Sequence, residues 1–279
     1  MKYKLPITLI ILTKNEDKNI NNIMENTNNY FNQTIIVDSY SDDKTIEICK
    51  KYKTEIYQNK FVNQGVQFNW ALDNCKINND WVMRLDADEI MEDKLKIEIS
   101  NLFDSKNVYE NEGYFINRML LWNGKWIKYG GIYPHYILRL FKFGSGRSEE
   151  ITEEHIIING KTAKLKNKLI ENNLKNNIGF FTEKHMFTAI GEMKEYLSDK
   201  REELVYESQG FHKSSIRRKM KNVYYKFPLY FRALIYFFYR YIFLLGFIDG
   251  KEGFSFHFFQ SFWYRMYIDK LISENIKND

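Results

Sequence analysis

The stretch Trp81-Val82-Met83-Arg84-Leu85-Asp86-Ala87-Asp88-Glu89 decides how the rest of the chain is read. A short, largely apolar run passes without a break into three acidic residues. Such a run reads as a buried strand. Side chains two apart on extended backbone point the same way, so Asp86 and Asp88 are expected to project together from the strand's C-terminal end. Open α/β sheets keep their ligand crevice at that end. Two carboxylates there suit a hard divalent cation, and such a cation suits a diphosphate. An isolated acidic pair is as readily a solvated turn. The weight therefore rests on what surrounds it.

Upstream, strand and helix patterns alternate. Leu5–Thr13 is apolar and β-branched, and Ile20, Ile23, Met24 and Thr27 follow at helical spacing. Residues 34–37 read as a second strand, and Ile46, Ile48 and Cys49 as part of a short helix. A brief strand at 54–57, a helix around 66–75 and the strand ending at Leu85 complete the series. Repeated βα units require a parallel sheet with right-handed crossovers. The expected fold is therefore α/β, with a Rossmann-like nucleotide-binding half.

Three strand ends in this series carry polar groups: Thr13-Lys14-Asn15-Glu16, Asp38-Ser39-Tyr40-Ser41-Asp42 and Asp86-Ala87-Asp88-Glu89. In a parallel sheet these ends face one edge. Asp38 suits a base or ribose as a hydrogen-bond acceptor. Ser41 and Asp42 also fit a helix N-cap, and Asn15 and Glu16 fit a helix start. Neither a P-loop nor a GxGxxG follows the first strand, so phosphate charge is expected to meet a metal and scattered cations.

Beyond residue 100 the pattern changes. Residues 114–121 and 136–141 read as strands, joined through Trp122-Asn123-Gly124-Lys125-Trp126 and Tyr129-Gly130-Gly131, a linker suited to lining a pocket. From about Asn173 the chain reads as helical. The expected organisation is a catalytic-type domain over 1–172, with halves 1–100 and 101–172, and a helical, basic and aromatic region over 173–279. Cys49 and Cys75 form no metal-ligand or disulfide pattern, which fits a reduced, cytoplasmic setting. Lys2, Lys4 and the apolar run after them are too short, and lack a small-residue cleavage site, for a signal peptide.

Charge is unevenly spread. The net is +5, but residues 1–100 hold 13 basic and 16 acidic side chains, whereas residues 160–279 hold 21 and 13. The surplus sits at the C-terminal end and points to an anionic surface there. Lys213, Arg217, Arg218, Lys219, Lys221 and Lys226 precede an aromatic run over 227–248 that Arg232 and Arg240 interrupt. On a helical wheel Lys226, Arg232 and Arg240 share one sector. A spanning helix would bear about 2.5–3.5 kcal/mol for an Arg near the bilayer centre. A helix lying in the headgroup plane, with those cations against anionic lipid, avoids that cost. Ordinary packing on the catalytic domain is the other reading. No RNA-binding motif accompanies the basic residues, and no nucleic-acid partner is expected.

The chain resembles glycosyltransferase family 2, enzymes of the GT-A fold, and within it bacterial enzymes of the lipopolysaccharide-core β-glucosyltransferase type. The likeness rests on Ile11-Leu12-Thr13-Lys14-Asn15-Glu16, Val37-Asp38-Ser39-Tyr40-Ser41-Asp42, the 81–89 stretch, Tyr133-Pro134-His135-Tyr136-Ile137-Leu138-Arg139-Leu140-Phe141 and Gly246-Phe247-Ile248-Asp249-Gly250. The resemblance implies an inverting, metal-dependent sugar transferase. Its donor would be a nucleotide sugar, by analogy UDP-linked. Its acceptor would be a cell-surface glycan or a lipid-linked molecule, such as lipopolysaccharide core or a capsule precursor. It would work at the cytoplasmic face of the inner membrane.

By the same resemblance Thr13, Asn15, Glu16, Asp38 and Ser39 line the nucleotide pocket, and Asp86, Ala87 and Asp88 lie against ribose and diphosphate. Asp88, with Asp86, would hold Mg²⁺ or Mn²⁺. A single displacement also needs one carboxylate to take the acceptor's proton. The candidates Glu149, Glu150, Glu153 and Glu154 cluster after the 136–141 strand, and the resemblance favours Glu154. Glu153 stands where related sequences carry His, which leaves the choice between Glu153 and Glu154 open. Related sequences also carry an acidic residue where His135 stands and a cation near Gln67. A polyprenyl-phosphate sugar synthase and a non-catalytic glycan- or membrane-binding protein are the alternatives weighed.

Overall fold

The computed structural model describes residues 4–149, 155–175, 177–197 and 223–276. The chain divides into two units. One is made of Met1–Gly124 and Pro134–Lys175, the other of Lys125–Tyr133 and Asn176–Asp279.

In chain order the first half holds β1 (Leu5–Thr13), α1 (Ile20–Thr27), β2 (Phe31–Asp38), α2 (Thr45–Cys49), β3 (Glu55–Gln58), α3 (Gln64–Asn74) and β4 (Trp81–Asp86). There follow β5 (Glu89–Met91), α4 (Asp93–Asp104), β6 (Gly113–Trp122), β7 (Lys125–Trp126) and β8 (Tyr136–Lys142), then β9 (Gly146–Ser148), β10 (Ile156–Ile158) and β11 (Thr162–Glu171). In the first unit the large sheet runs β3-β2-β1-β4-β8-β6-β11-β5, with β9 and β10 as a separate antiparallel pair. β1, β2, β3 and β4 are mutually parallel, as are β6 and β11. β8 runs antiparallel to β4 and β6, and β5 antiparallel to β11. This is the expected α/β class, a mostly parallel sheet flanked by helices and followed by a helical region.

The pleat explains the layering. Leu9 and Ile11 of β1 face one side, where Ile20, Ile23 and Met24 of α1 and Leu95 and Ile99 of α4 close over them. Ile10 faces the other side, against Phe68, Ala71 and Leu72 of α3. All of these side chains are buried, and each such Ile, Leu or Phe contributes about 1.5–3 kcal/mol. The four residues spaced for a first helix, Ile20, Ile23, Met24 and Thr27, are the buried face of α1. Several elements lie outside the sequence expectations: β5, α4, β7, the β9–β10 pair and β11.

In the second unit, α5 (Ile178–Leu197) packs Ala189 and Met193 against Tyr264, Ile268 and Ile272 of the last helix. α6 (Phe231–Phe238) continues through a π-helical turn at Tyr239–Phe243. α7 (Gly250–His257) passes through a second wide stretch, Phe258–Trp263, into α8 (Tyr264–Ile276). Lys125–Tyr133 belongs here, although the sequence places it in the acceptor half. The reason is local bonding. The Asp249 carboxylate accepts the amides of Lys128 (3.0 Å) and Tyr129 (2.8 Å), Leu244 accepts the Gly130 amide (2.8 Å), and Arg240 Nε donates to the Gly130 carbonyl (2.8 Å). Gly130 has a φ of +69°, and a Cβ there would lie 2.0 Å from the His257 ring. Only glycine serves at this position.

The wheel reading of the aromatic run is corrected in one respect. Arg232 and Arg240 do not face outward to meet lipid headgroups. Arg232 is 1% exposed and pairs with Asp269, and its guanidinium lies over the rings of Tyr196, Tyr224 and Tyr225; Arg240 is 8% exposed. An Arg side chain is long enough to bury its charge when a carboxylate and π-faces receive it. Of the basic residues before this run, Lys213, Arg217, Arg218, Lys219 and Lys221 lie outside the described residues.

His257 is fully buried, and neither ring nitrogen has a hydrogen-bond partner among the described residues. Burial, reinforced by nearby Arg240, lowers its pKa from 6.5 to about 3. The folded-state value is thus depressed: below the ordinary value the unfolded chain takes up a proton that the folded chain refuses. Stability is expected to fall as pH drops, by about 2 kcal/mol between pH 7 and pH 5 from this residue alone. Urea melts of His257→Leu should have a shallower pH slope than wild type. Equal slopes would assign the pH dependence elsewhere.

Candidate active site

Register brings the polar strand ends of the first unit together. Thr13 pairs with Asp38 across β1 and β2, and Leu12 pairs with Asp86 across β1 and β4. Three parallel C-terminal ends therefore share one edge, as the order of motifs implies.

The loops after β1 and β2 are bonded to each other. Asp38 is fully buried and accepts from Thr13 Oγ1 (2.9 Å), the Ser41 amide (2.8 Å) and Ser41 Oγ (2.5 Å). The Asn15 amide donates to Ser41 Oγ (2.8 Å), and Asn15 Oδ1 accepts the Asp42 amide (3.0 Å). Asn15 holds a φ of 54°, a left-handed conformation that Asn tolerates better than most residues. The Glu16 amide donates to Thr45 Oγ1 (2.7 Å), and the Glu16 carboxylate pairs with Lys175 (2.6 Å). The Ser39 amide donates to the Thr13 carbonyl (2.9 Å), and Ser39 Oγ accepts from buried Gln67 (3.1 Å). Thr13, Asn15, Glu16, Asp38 and Ser39 are thus brought together. Asp38 serves the loop architecture with its own carboxylate, because that carboxylate is closed off from solvent.

β4 ends at Asp86, and Ala87 and Asp88 form a turn before β5. The extended spacing expected for the aspartates therefore stops at Asp86. Ala87 is buried and Asp88 partly buried, with the Asp88 carbonyl accepting the Asn172 amide (2.9 Å). The Asp86 side chain is 29% exposed and takes Arg139 at 2.6 Å and Arg84 at 3.4 Å. Arg139 also binds Glu89 at 2.7 Å, and Glu89 in turn accepts the Asp86 amide (3.1 Å). Both Arg139 and Glu89 are buried. Burial alone would raise the Asp86 carboxyl, but Arg139, Arg84 and Arg118 outweigh it and hold the group well below the usual carboxylate range. Burial pushes the Glu89 carboxyl up against the pull of Arg139. Arg139 is a structural counter-charge for this turn.

Further out, Arg118 pairs with Glu171 (2.9 Å) and contacts His135 Nδ1 (3.1 Å). Sequence reading missed Arg84, Glu89, Arg118, Glu171 and Lys175. One signal was present, since Arg84 interrupts an apolar strand between Met83 and Leu85 and had to be buried with a partner. Asn69 of α3 exchanges two 2.9 Å bonds with the backbone of Ser148, fixing β9 at the start of the connection to β10. The candidate bases Glu153 and Glu154 are in that connection and, like Glu150, lie outside the described residues. Glu149 is described, and its amide donates to the His155 carbonyl (2.9 Å).

The donor set suits Mg²⁺ or Mn²⁺. Such ions take oxygen ligands and are commonly held by one or two carboxylates together with substrate phosphates. Asp86, kept ionised, and Asp88, two residues on in the turn, are the carboxylates that would supply that pair. Among the described residues no cluster of three or more His, Cys, Asp or Glu forms a metal cage made by the protein alone.

Fold and site together define a Rossmann-like α/β protein with carboxylates at the binding edge of its sheet. The chain belongs to glycosyl transferase family 2, whose sequence profile matches residues 8–182. An uncharacterized glycosyltransferase of Rickettsia prowazekii (strain Madrid E) is 30% identical over 118 residues, covering 42% of this chain and 40% of that protein. One from Rickettsia bellii (strain RML369-C) is 31% identical over 115 residues, covering 41% of this chain and 38% of its own. The match thus spans only about 40% of the length of these relatives. Among solved structures, S. aureus TarS 1–349 in complex with UDP-GlcNAc aligns over 98% of this chain and 92% of its own, at 10% identity and a TM-score of 0.49. Mycobacterium tuberculosis glucosyl-3-phosphoglycerate synthase, in complex with Mn²⁺, UDP and phosphoglyceric acid, aligns over 41% and 43%, at 15% identity and a TM-score of 0.32.

Proposed function

We propose that this chain is an inverting, metal-dependent glycosyltransferase. It would move a sugar from a nucleotide sugar, expected to be UDP-linked, to a glycan or lipid-linked acceptor such as lipopolysaccharide core or a capsule precursor. The observation that carries the reading is the register of β1, β2 and β4, which aligns Thr13, Asp38 and Asp86 at one edge of a family 2 sheet.

In this reading the interlocked loops bind the nucleoside. Asp38 fixes the turn through Ser41, and Asn15 and Ser39 present the groups that meet ribose and base. Asp86 arrives already ionised because Arg139 and Arg84 flank it. A divalent cation held by Asp88 and Asp86 would neutralise the charge that develops on the departing diphosphate. Transfer by single displacement also requires the acceptor hydroxyl to lose its proton, a role assigned to Glu154 or Glu153.

The test is a thermal-unfolding screen of UDP-, GDP- and dTDP-sugars with and without Mn²⁺. A ligand at about 100 times its Kd adds about 2.7 kcal/mol. UDP-sugars with Mn²⁺ are expected to give the largest rise in Tm. Glu154→Gln should keep that rise and lose transfer. No metal-dependent rise with any nucleotide sugar would remove the proposal.

A further inference from the structure

We propose that the outward face of the helix Phe231–Phe243 is a membrane-docking surface, seated in the interfacial layer of an anionic bilayer. The proposal goes beyond the catalytic reading and does not depend on it. An amphipathic helix of a water-soluble protein turns its apolar stripe inward and its charged stripe outward. Here the order is reversed. Arg232, Tyr236 and Arg240, four residues apart, form the inward stripe, with Arg232 against Asp269 and Arg240 on the Gly130 carbonyl. Phe231, Leu234, Ile235, Phe238, Ile242 and Phe243 recur at the helical spacing of the opposite face. All six are exposed, and Phe243 is 75% exposed. A contiguous apolar face of this kind marks an interaction surface.

Three observations favour lipid as the occupant. At 1.5 Å per residue, Phe231–Phe243 is about 20 Å long, short of the roughly 30 Å hydrocarbon core. No single helix among the described residues is long and apolar enough to cross a membrane. Only the pair Phe231–Phe243 and Gly246–Asn275 passes by length and composition together, and its 71° bend keeps it from being one straight span. Finally, seven lysines of the second unit are exposed, Lys226 and Lys251 among them, against two exposed glutamates, Glu183 and Glu274, among its described residues. That surplus complements anionic headgroups. A second copy of the chain would set the same positive surplus against itself.

The full chain should co-sediment with phosphatidylglycerol–phosphatidylethanolamine vesicles and more weakly with phosphatidylcholine vesicles. The triple variant Phe231→Ser, Phe238→Ser, Phe243→Ser should partition at least about 30-fold more weakly. Val62→Ser, a 64% exposed position in the first unit, should bind as wild type. A second readout covers misfolding of the triple variant. Cys49 and Cys75 are buried, so Phe243→Cys can carry an environment-sensitive fluorophore, whose emission should shift to the blue on adding vesicles. Wild type left in the supernatant, a triple variant that pellets equally, or a fluorophore that does not shift would each overturn the proposal. So would a lipid-free wild-type dimer, seen by sedimentation velocity, that the triple variant converts to monomer, since a second copy would then own the face.

Discussion

Under the proposed function, Asp88→Ala is expected to lower sugar transfer by roughly a thousandfold while leaving the chain folded, the scale at which removing an electrostatic partner of a developing charge acts. The division of labour in the 86–89 turn is the reason. Asp86 is shared with Arg139 and Arg84, and Glu89 is buried beneath it. Asp88 is fixed to the sheet through its backbone carbonyl, which accepts the Asn172 amide. Alanine keeps that bond and removes only the carboxylate. Under the proposed function the lost carboxylate is a metal ligand, so the change should fall on the metal and diphosphate. Calorimetry gives a readout independent of turnover: UDP binding should respond to Mn²⁺ in wild type and lose that response in the variant. Full transfer by Asp88→Ala would sink the mechanism.

Arg139→Met is expected to be the most costly of these changes for stability, by about 3–5 kcal/mol, because it leaves a buried charge without its partner. Glu89 loses its counter-charge at 1% exposure, and Asp86 keeps only the longer contact to Arg84. pH dependence gives the signature. Burial already raises the Glu89 pKa above its ordinary value, and without Arg139 it rises further. A carboxyl raised in the folded state is tolerated while protonated and costs stability as pH rises through its folded pKa. The deficit of Arg139→Met in urea melts should therefore be smaller at pH 5 than at pH 8. Adding Glu89→Gln should recover much of the loss, since the orphaned charge is then gone. A double variant no more stable than Arg139→Met would assign the loss to packing of the arginine stem.

Much of the first unit was legible because its central strands are buried on both faces. β1, β2 and β4 read as largely apolar runs, and the polar groups ending them could be placed on one edge from the sequence alone. β11 was missed for a physical reason. Its alternation Lys164-Leu165-Lys166 breaks at Asn167-Lys168, where the pairing with β6 shifts register. Its period is therefore interrupted within the strand. α4 was missed because only Leu95 and Ile99 are buried in a helix of mostly polar residues. The buried charges are a different case. Arg139, Glu89 and Arg232 take partners 50, 50 and 37 residues away in sequence. No local pattern separates such an ion pair from surface charge. For the same reason the wheel found the arginine stripe of the helix Phe231–Phe243 but not the side it faces.

The fastening of Lys125–Tyr133 to Asp249, Leu244 and Arg240 bears on how the molecule can be cut. The backbone passes between the two units three times, after Gly124, after Tyr133 and after Lys175. Cleavage at the last crossing would not release a self-sufficient fragment, because the excursion between the first two would lose its bonds to Asp249, Leu244 and Arg240. Ile127, now fully shielded, lies within that excursion. Limited proteolysis in the tail should therefore yield an aggregating species, and the two units should be inherited, expressed and lost as one.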